Sequence, residues 1–183
     1  MSMFHSTTQR LIDYWRSCCL QGAAPLRASI DPSAFADLMP QAFILGRSFS
    51  GVYPMRLAGG FVADLHGRDI RRLNGLSLWA ERDRSRLQLA LEETRRRPEP
   101  LVATAEAASE THRVGIEVLF APLVGPDGDV DRFLGLYQPL GMTARLQGQP
   151  VSTLSLRALQ RAGAANEEVP RLRLATLHGR HVA

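Results

Sequence analysis

The sequence has 183 residues, 45% of them hydrophobic, and its 22 basic and 18 acidic side chains leave a net charge of +4 and a pI near 9.8. That is enough chain for one domain with a real core, yet no stretch approaches the roughly 18 consecutive apolar residues of a membrane span, and Met1-Ser2-Met3-Phe4-His5-Ser6 lacks the basic and apolar regions of a secretory leader. The composition points to a soluble, cytoplasmic, single-domain protein. The basic residues are all arginine, which suits phosphate and carboxylate partners, but so modest an excess argues against a dedicated nucleic-acid binder and gives no reason to invoke a membrane. Cys18 and Cys19 are adjacent and alone, so neither a disulfide framework nor a metal knuckle is encoded.

In chain order, Ser6-Thr7-Thr8-Gln9 has the form of a capping box, and Leu11, Ile12, Trp15 and Cys19 recur at helical spacing to about Leu20. This helix is expected to pack outside the sheet or against a second copy of itself. Asp31-Pro32 starts a short helix over Ser33 to Met39 that Pro40 stops. Strands are expected over Gln41 to Arg47 and Val52 to Ala58, forming a hairpin. Gly59-Gly60 breaks it, and a helical turn over Phe61 to Leu65 ends at His66-Gly67 with glycine in the left-handed position. Ser77 then caps a longer helix whose face carries Trp79, Leu87, Ala90, Leu91 and Thr94 until Pro98.

Three strands follow, Leu101 to Ser109, Arg113 to Leu123 and Arg132 to Pro139, the last two joined by Gly125-Pro126-Asp127-Gly128-Asp129. Short connections make them an antiparallel meander, and segregated helices and strands give an α+β fold. Gly148-Gln149-Pro150 is a break, Ser152 to Ala162 reads as helix, and Arg171-Leu172-Arg173-Leu174 alternates. The expected organisation is an N-terminal helical extension (1–40), a core (41–140) and a C-terminal appendage (141–183).

The residues Tyr14-Trp15, Pro25-Leu26-Arg27, Asp31-Pro32, Leu38-Met39-Pro40, Arg56-Leu57-Ala58-Gly59, Gly67-Arg68-Asp69-Ile70, Leu78-Trp79, Pro122-Leu123 and Leu134-Gly135, in this order and spacing, resemble the short stand-alone bacterial PAS family over about Leu11 to Leu140. The resemblance implies a five-stranded antiparallel sheet with flanking helices, a pocket between them, and a sensory or scaffolding role through a signalling partner or ligand. Gly67 to Asn74 also resembles the flavin-photoreceptor branch, in which a reactive cysteine stands at the position of Ile70. Without that thiol no photoadduct forms. His66, at a helix end, is a poor haem ligand, and no cofactor is assigned.

Other chemistry is thin. Asp127, Asp129 and Asp131 have the spacing of a calcium loop, but Arg132 and Gln138 replace its glycine and closing glutamate. The glycine segments lack the ending of a phosphate loop, His178 and His181 are an incomplete metal set, and the two cysteines have no local histidine base. Arg95, Arg96 and Arg97 form a charge run read chiefly as a solvated face, with a phosphate-bearing partner as the functional alternative. Arg56, among apolar strand residues, needs a carboxylate such as Asp69 or Glu117, or an anionic ligand. Gly135 leaves room for a ligand or a packed side chain. The expected site is one cavity bordered by Arg56, Trp79, Phe120 and Leu136, suited to a small amphipathic anion. The reading is thus a non-enzymatic sensor or interaction module, potentially homodimeric. The alternatives are an arginine-rich anion or nucleic-acid binder, distinguished by salt dependence, and a small α+β cone enzyme dependent on Glu117 or Asp69.

Overall fold

A computed structural model describes residues 3–20 and 22–162. Six strands form one antiparallel sheet in the order β2-β1-β5-β4-β3-β6: β1 Ala42–Gly46, β2 Met55–Ala58, β3 Leu101–Ala108, β4 Arg113–Val124, β5 Val130–Pro139 and β6 Thr153–Arg161. Three α-helices accompany it, α1 Ser6–Ser17, α2 Gly60–His66 and α3 Glu81–Arg96, with short 3-10 segments between. No described helix is long and apolar enough to cross a membrane.

The sixth strand corrects the expected helix over Ser152 to Ala162. Leu154 and Leu156 are buried while Arg157 is exposed, and β6 pairs along the length of β3, from Leu101↔Arg161 to Ala108↔Thr153. Its apolar spacing fits two periods, and the open edge of β3 decided between them, because an unpaired strand edge offers a full ladder of backbone hydrogen bonds. The sheet therefore has six strands where five were expected, and it continues past residue 140. The alternation at Arg171 to Leu174, the histidines His178 and His181 and the rest of the tail lie outside the described residues.

Two layers cover the sheet. On the outer face, α1 lays Leu11, Ile12 and Trp15 against Leu119, Leu134 and Leu136, each fully buried side chain contributing roughly 2 kcal/mol. Trp15 Nε1 donates to Pro122 O at 2.8 Å. The helix thus packs on its own sheet. Its N-cap is His5, whose Nδ1 accepts from Thr7 N, and not Ser6, which is the first helical residue. The His5 amide in turn donates to both Glu117 oxygens at 3.1 and 3.2 Å. That pairing puts a buried carboxylate beside a helix N-terminus, where the dipole favours it. At the other end of α1, Arg16 donates to Ala162 O. Cys18 and Cys19 are free and half-buried.

On the inner face, the 3-10 turn Gly75–Leu78 and α3 close over the strands. Asn74 caps that turn by accepting from Leu76 N, and Ser77, expected to cap the longer helix, lies within the turn. α3 begins at Glu81, after an Ala80 that supplies no side-chain cap, so Trp79 sits in the connection ahead of the helix. There it bridges to Leu154 of β6, and Ala80 N donates to Leu154 O at 2.8 Å. Asp31 at its cap and Gly67 at φ 60 behave as their residue types predict.

Candidate functional site

The inner face is built from aromatic rings. Phe43 meets Phe120 and Tyr137 edge-on at centroid distances of 5.8 and 5.4 Å, Phe133 meets Phe120 at 6.5 Å, and Trp79 tilts over Phe120 at 6.5 Å. Such edge-to-face contacts add to area burial and fix each ring. The space left is a cavity of about 10 Å³ with an almost wholly apolar lining that includes Phe43, Trp79, Phe120 and Tyr137. A void of that size has room for about one water molecule.

Gly135 explains the filling. It pairs with Phe120 on β4 and with Phe43 on β1, and a β-carbon there would collide with the Phe43 ring. The missing side chain is occupied from within the chain.

The structure brings two of the four expected site residues together. Trp79 and Phe120 share the inner cluster. Leu136 belongs to the outer cluster under α1, because the register pairs it with Leu119 while Phe120 pairs with Gly135. Neighbours along a strand point to opposite faces, so a one-residue difference in pairing moves a side chain across the sheet. Arg56 is exposed on edge strand β2, and neither carboxylate suggested for it is its partner. Asp69 is held by Arg71 at 2.7 Å, and Glu117 lies beneath His5. The four residues therefore border no common cavity.

Two polar clusters escaped the sequence reading. Glu92 on α3 accepts from Arg47 Nε at 2.9 Å, from Arg95 Nη1 at 3.0 Å and from the Tyr53 hydroxyl. Burial raises its pKa, but these three donors outweigh it and hold the carboxylate at about 2. Arg95 also donates to Val130 O at 2.7 Å, so the first member of the arginine run is a structural tie between α3 and β5. The second cluster is His66, buried, with Nδ1 3.1 Å from Val151 O and Nε2 3.3 Å from the Tyr137 hydroxyl. Since a carbonyl only accepts, Nδ1 carries the hydrogen and Nε2 accepts from Tyr137 in the neutral ring. Burial lowers the pKa of His66, partly offset by the Val151 hydrogen bond, and nearby Arg68 lowers it further. Burial alone raises that of Tyr137. The sequence signal for both clusters was a charged or polar residue on an otherwise buried face, at Glu92 and His66.

Beyond the inner face, a surface depression of about 520 Å³ lies against β2, lined by Met55, Arg56, Asp69, Arg71 and Arg72. Arg71 grips Asp69 through Nε and Nη2, and these hydrogen bonds hold the carboxyl at about 2. Arg72 has φ 68, a left-handed conformation that costs a residue with a β-carbon roughly 1 kcal/mol. Its amide donates to Met55 O at 2.7 Å, and Met55 N donates to Leu73 O at 2.9 Å, which pins the turn to the sheet edge.

An antiparallel sheet with short helices and one longer helix on its inner face, and an N-terminal helix across the outer face, defines an α+β module. A family model described as a PAS domain matches residues 3–138, well over half of the sequence, and the chain belongs to that family. Among solved structures it is similar to the LOV protein of Rhodobacter sphaeroides, with 15% identity and a TM-score of 0.46 over 64% of this chain and 72% of that one. It is also similar to the blue-light photoreceptor Aureochrome1 LOV, with 14% identity and a TM-score of 0.46 over 63% and 86%. A third similarity is to an RNA-binding light-oxygen-voltage receptor, with 16% identity and a TM-score of 0.47 over 72% and 38%. No curated protein matches the sequence.

Proposed function

We propose that this chain is a cytoplasmic sensory or interaction module of bacterial signalling that works by docking a partner protein and carries out no chemistry of its own. The observation that carries the reading is the filled interior. The volume between the inner face and its helices is about 10 Å³, whereas pockets for small ligands and cofactors run to about 300–1,000 Å³. Phe43 fills the space over Gly135, and Ile70 is itself part of that packed core. An amphipathic anion shared between Arg56 and Trp79 has no common space to occupy. Signal then passes through surfaces.

Native mass spectrometry of freshly purified protein tests this. The expected spectrum shows the mass of the bare chain or its multiples, with no increment. A small molecule retained in stoichiometric amount would overturn the reading and return the interior to the role of a ligand pocket. Absorbance after incubation with flavin mononucleotide or haem gives a parallel check, and the expected difference spectrum is that of the unbound cofactor.

A further inference from the structure

We infer that the depression against β2 docks an acidic segment of a partner protein, whose carboxylates are received by Arg56 and Arg72. This rests on the reading that the chain acts through partner contact and names the partner's chemistry. Three guanidinium groups and one carboxylate line the depression. Arg71 is already committed to Asp69, and among the described residues the side chains of Arg56 and Arg72 make no hydrogen bond or ion pair. Both face solvent, and Arg72 lies near enough to Asp69 to help lower its pKa.

Both are positioned by backbone. Arg56 lies flat across Gly46 of the neighbouring strand, where a β-carbon would stand 2.8 Å from its Nε. Glycine at 46 is therefore what allows the guanidinium to rest on the sheet. The backbone of Arg72 is fixed by the left-handed turn and its hydrogen bond to Met55. A backbone held in this way has less freedom to lose on binding than a mobile loop.

The charge elsewhere is matched only in part, since Arg27, Arg68, Arg82, Arg86 and Arg145 also make no ion pair among the described residues. Arg47 and Arg95 are spent on Glu92, and in the groove at the end of α3 Arg96, Arg97 and Arg161 face Glu93 and Glu99, with Arg161 bonded to Glu93 at 2.8 Å. Asp69 on Arg71 shows the two-pronged geometry that a partner carboxylate would adopt on its neighbours. The volume, about 520 Å³, accommodates more than a single small anion, as a peptide side-chain pair requires.

The test is an amide chemical-shift titration of the whole chain with a hexaglutamate peptide in phosphate-free buffer. Shifts are expected to concentrate on residues 55–58 and 69–72, with affinity falling as salt is raised. Arg56→Glu with Arg72→Glu should weaken binding about tenfold or more, while Arg96→Glu with Arg97→Glu leaves it unchanged. All four side chains are exposed, and Arg56→Gln with Arg72→Gln, expected to give an intermediate loss, serves as the milder pair if charge reversal disturbs folding. Shifts centred on the end of α3, or spread evenly over the surface, would overturn the inference. So would inorganic phosphate that saturates the same residues while hexaglutamate does not, because the depression would then be a phosphate site. A retained small molecule in the native mass spectrum bears on the proposed function alone, so the two can fail separately.

Discussion

The two faces of the sheet are held by different means. The inner face is closed by interlocked aromatic rings from β1, β4, β5 and the connection before α3. The outer face is aliphatic and is covered mainly by α1 and the 3-10 segment Pro32–Gln41. α1 is fastened by a few hydrogen bonds at its ends, to Glu117, Pro122 and Ala162. A close-packed aromatic layer loses much when one ring is removed, whereas a helix laid on a sheet can detach as a unit. From this packing we expect rigidity in the inner face and the capacity to be remodelled in the outer one.

The largest effect should come from the inner face. Phe120→Ala removes the ring touched by Phe43, Trp79 and Phe133 and should cost about 3–5 kcal/mol, read as a lower urea midpoint. The same variant should gain an apolar cavity able to take benzene, visible as a rise in melting temperature with added ligand. A loss below about 1 kcal/mol would mean that the inner face collapses easily and that its packing is not the source of rigidity.

The outer face should respond less to a single polar change. Trp15→Phe keeps most of the buried area and deletes the hydrogen bond to Pro122 O, leaving a buried carbonyl without its partner. That should cost about 1–3 kcal/mol. Hydrogen exchange should then rise selectively along α1, while amides of β3 and β4 stay protected. Uniform loss of protection would show that α1 and the sheet open together and would erase the contrast between faces.

A pH titration separates two polar clusters on the inner side by their chemistry. His66 is held neutral on the inner side, with its pKa lowered from an ordinary value of 6.5 by burial. The unfolded chain therefore binds the proton first as acid is added, and stability is present in full above pH 6.5 and declines as the pH falls below it. His66→Phe should remove the slope that sets in as the pH falls below 6.5. Glu92 acts lower. Its pKa falls from 4.5 to about 2 in the fold, so its contribution is intact above pH 4.5 and is lost as the pH drops towards 2; Glu92→Gln should flatten that second range. The smallest effect is expected at the surface. Arg157, more than half exposed beside Glu106, should change stability by less than about 1 kcal/mol when replaced by alanine.

Much of this was legible from residue types in short windows. Asp31 before Pro32, Gly67 after α2, the apolar stripe of α1 and the turn at Gly125 to Asp129 each specify a local conformation with little help from the rest of the chain. The meander and the α+β class followed from them, whereas the placing of Trp79 near Phe120 rested on the resemblance to the PAS family. Tertiary structure decided what depends on pairing between distant segments. The register of β4 on β5 set Phe120 opposite Gly135 and turned Leu136 outward. The free edge of β3 made a strand of residues 153–161, and Phe43, contributed by β1, filled the space that Gly135 left. The physical reason is common to all three. A side chain's direction alternates with every residue, so local propensity fixes that a strand forms, while its partner's register fixes which face each residue serves.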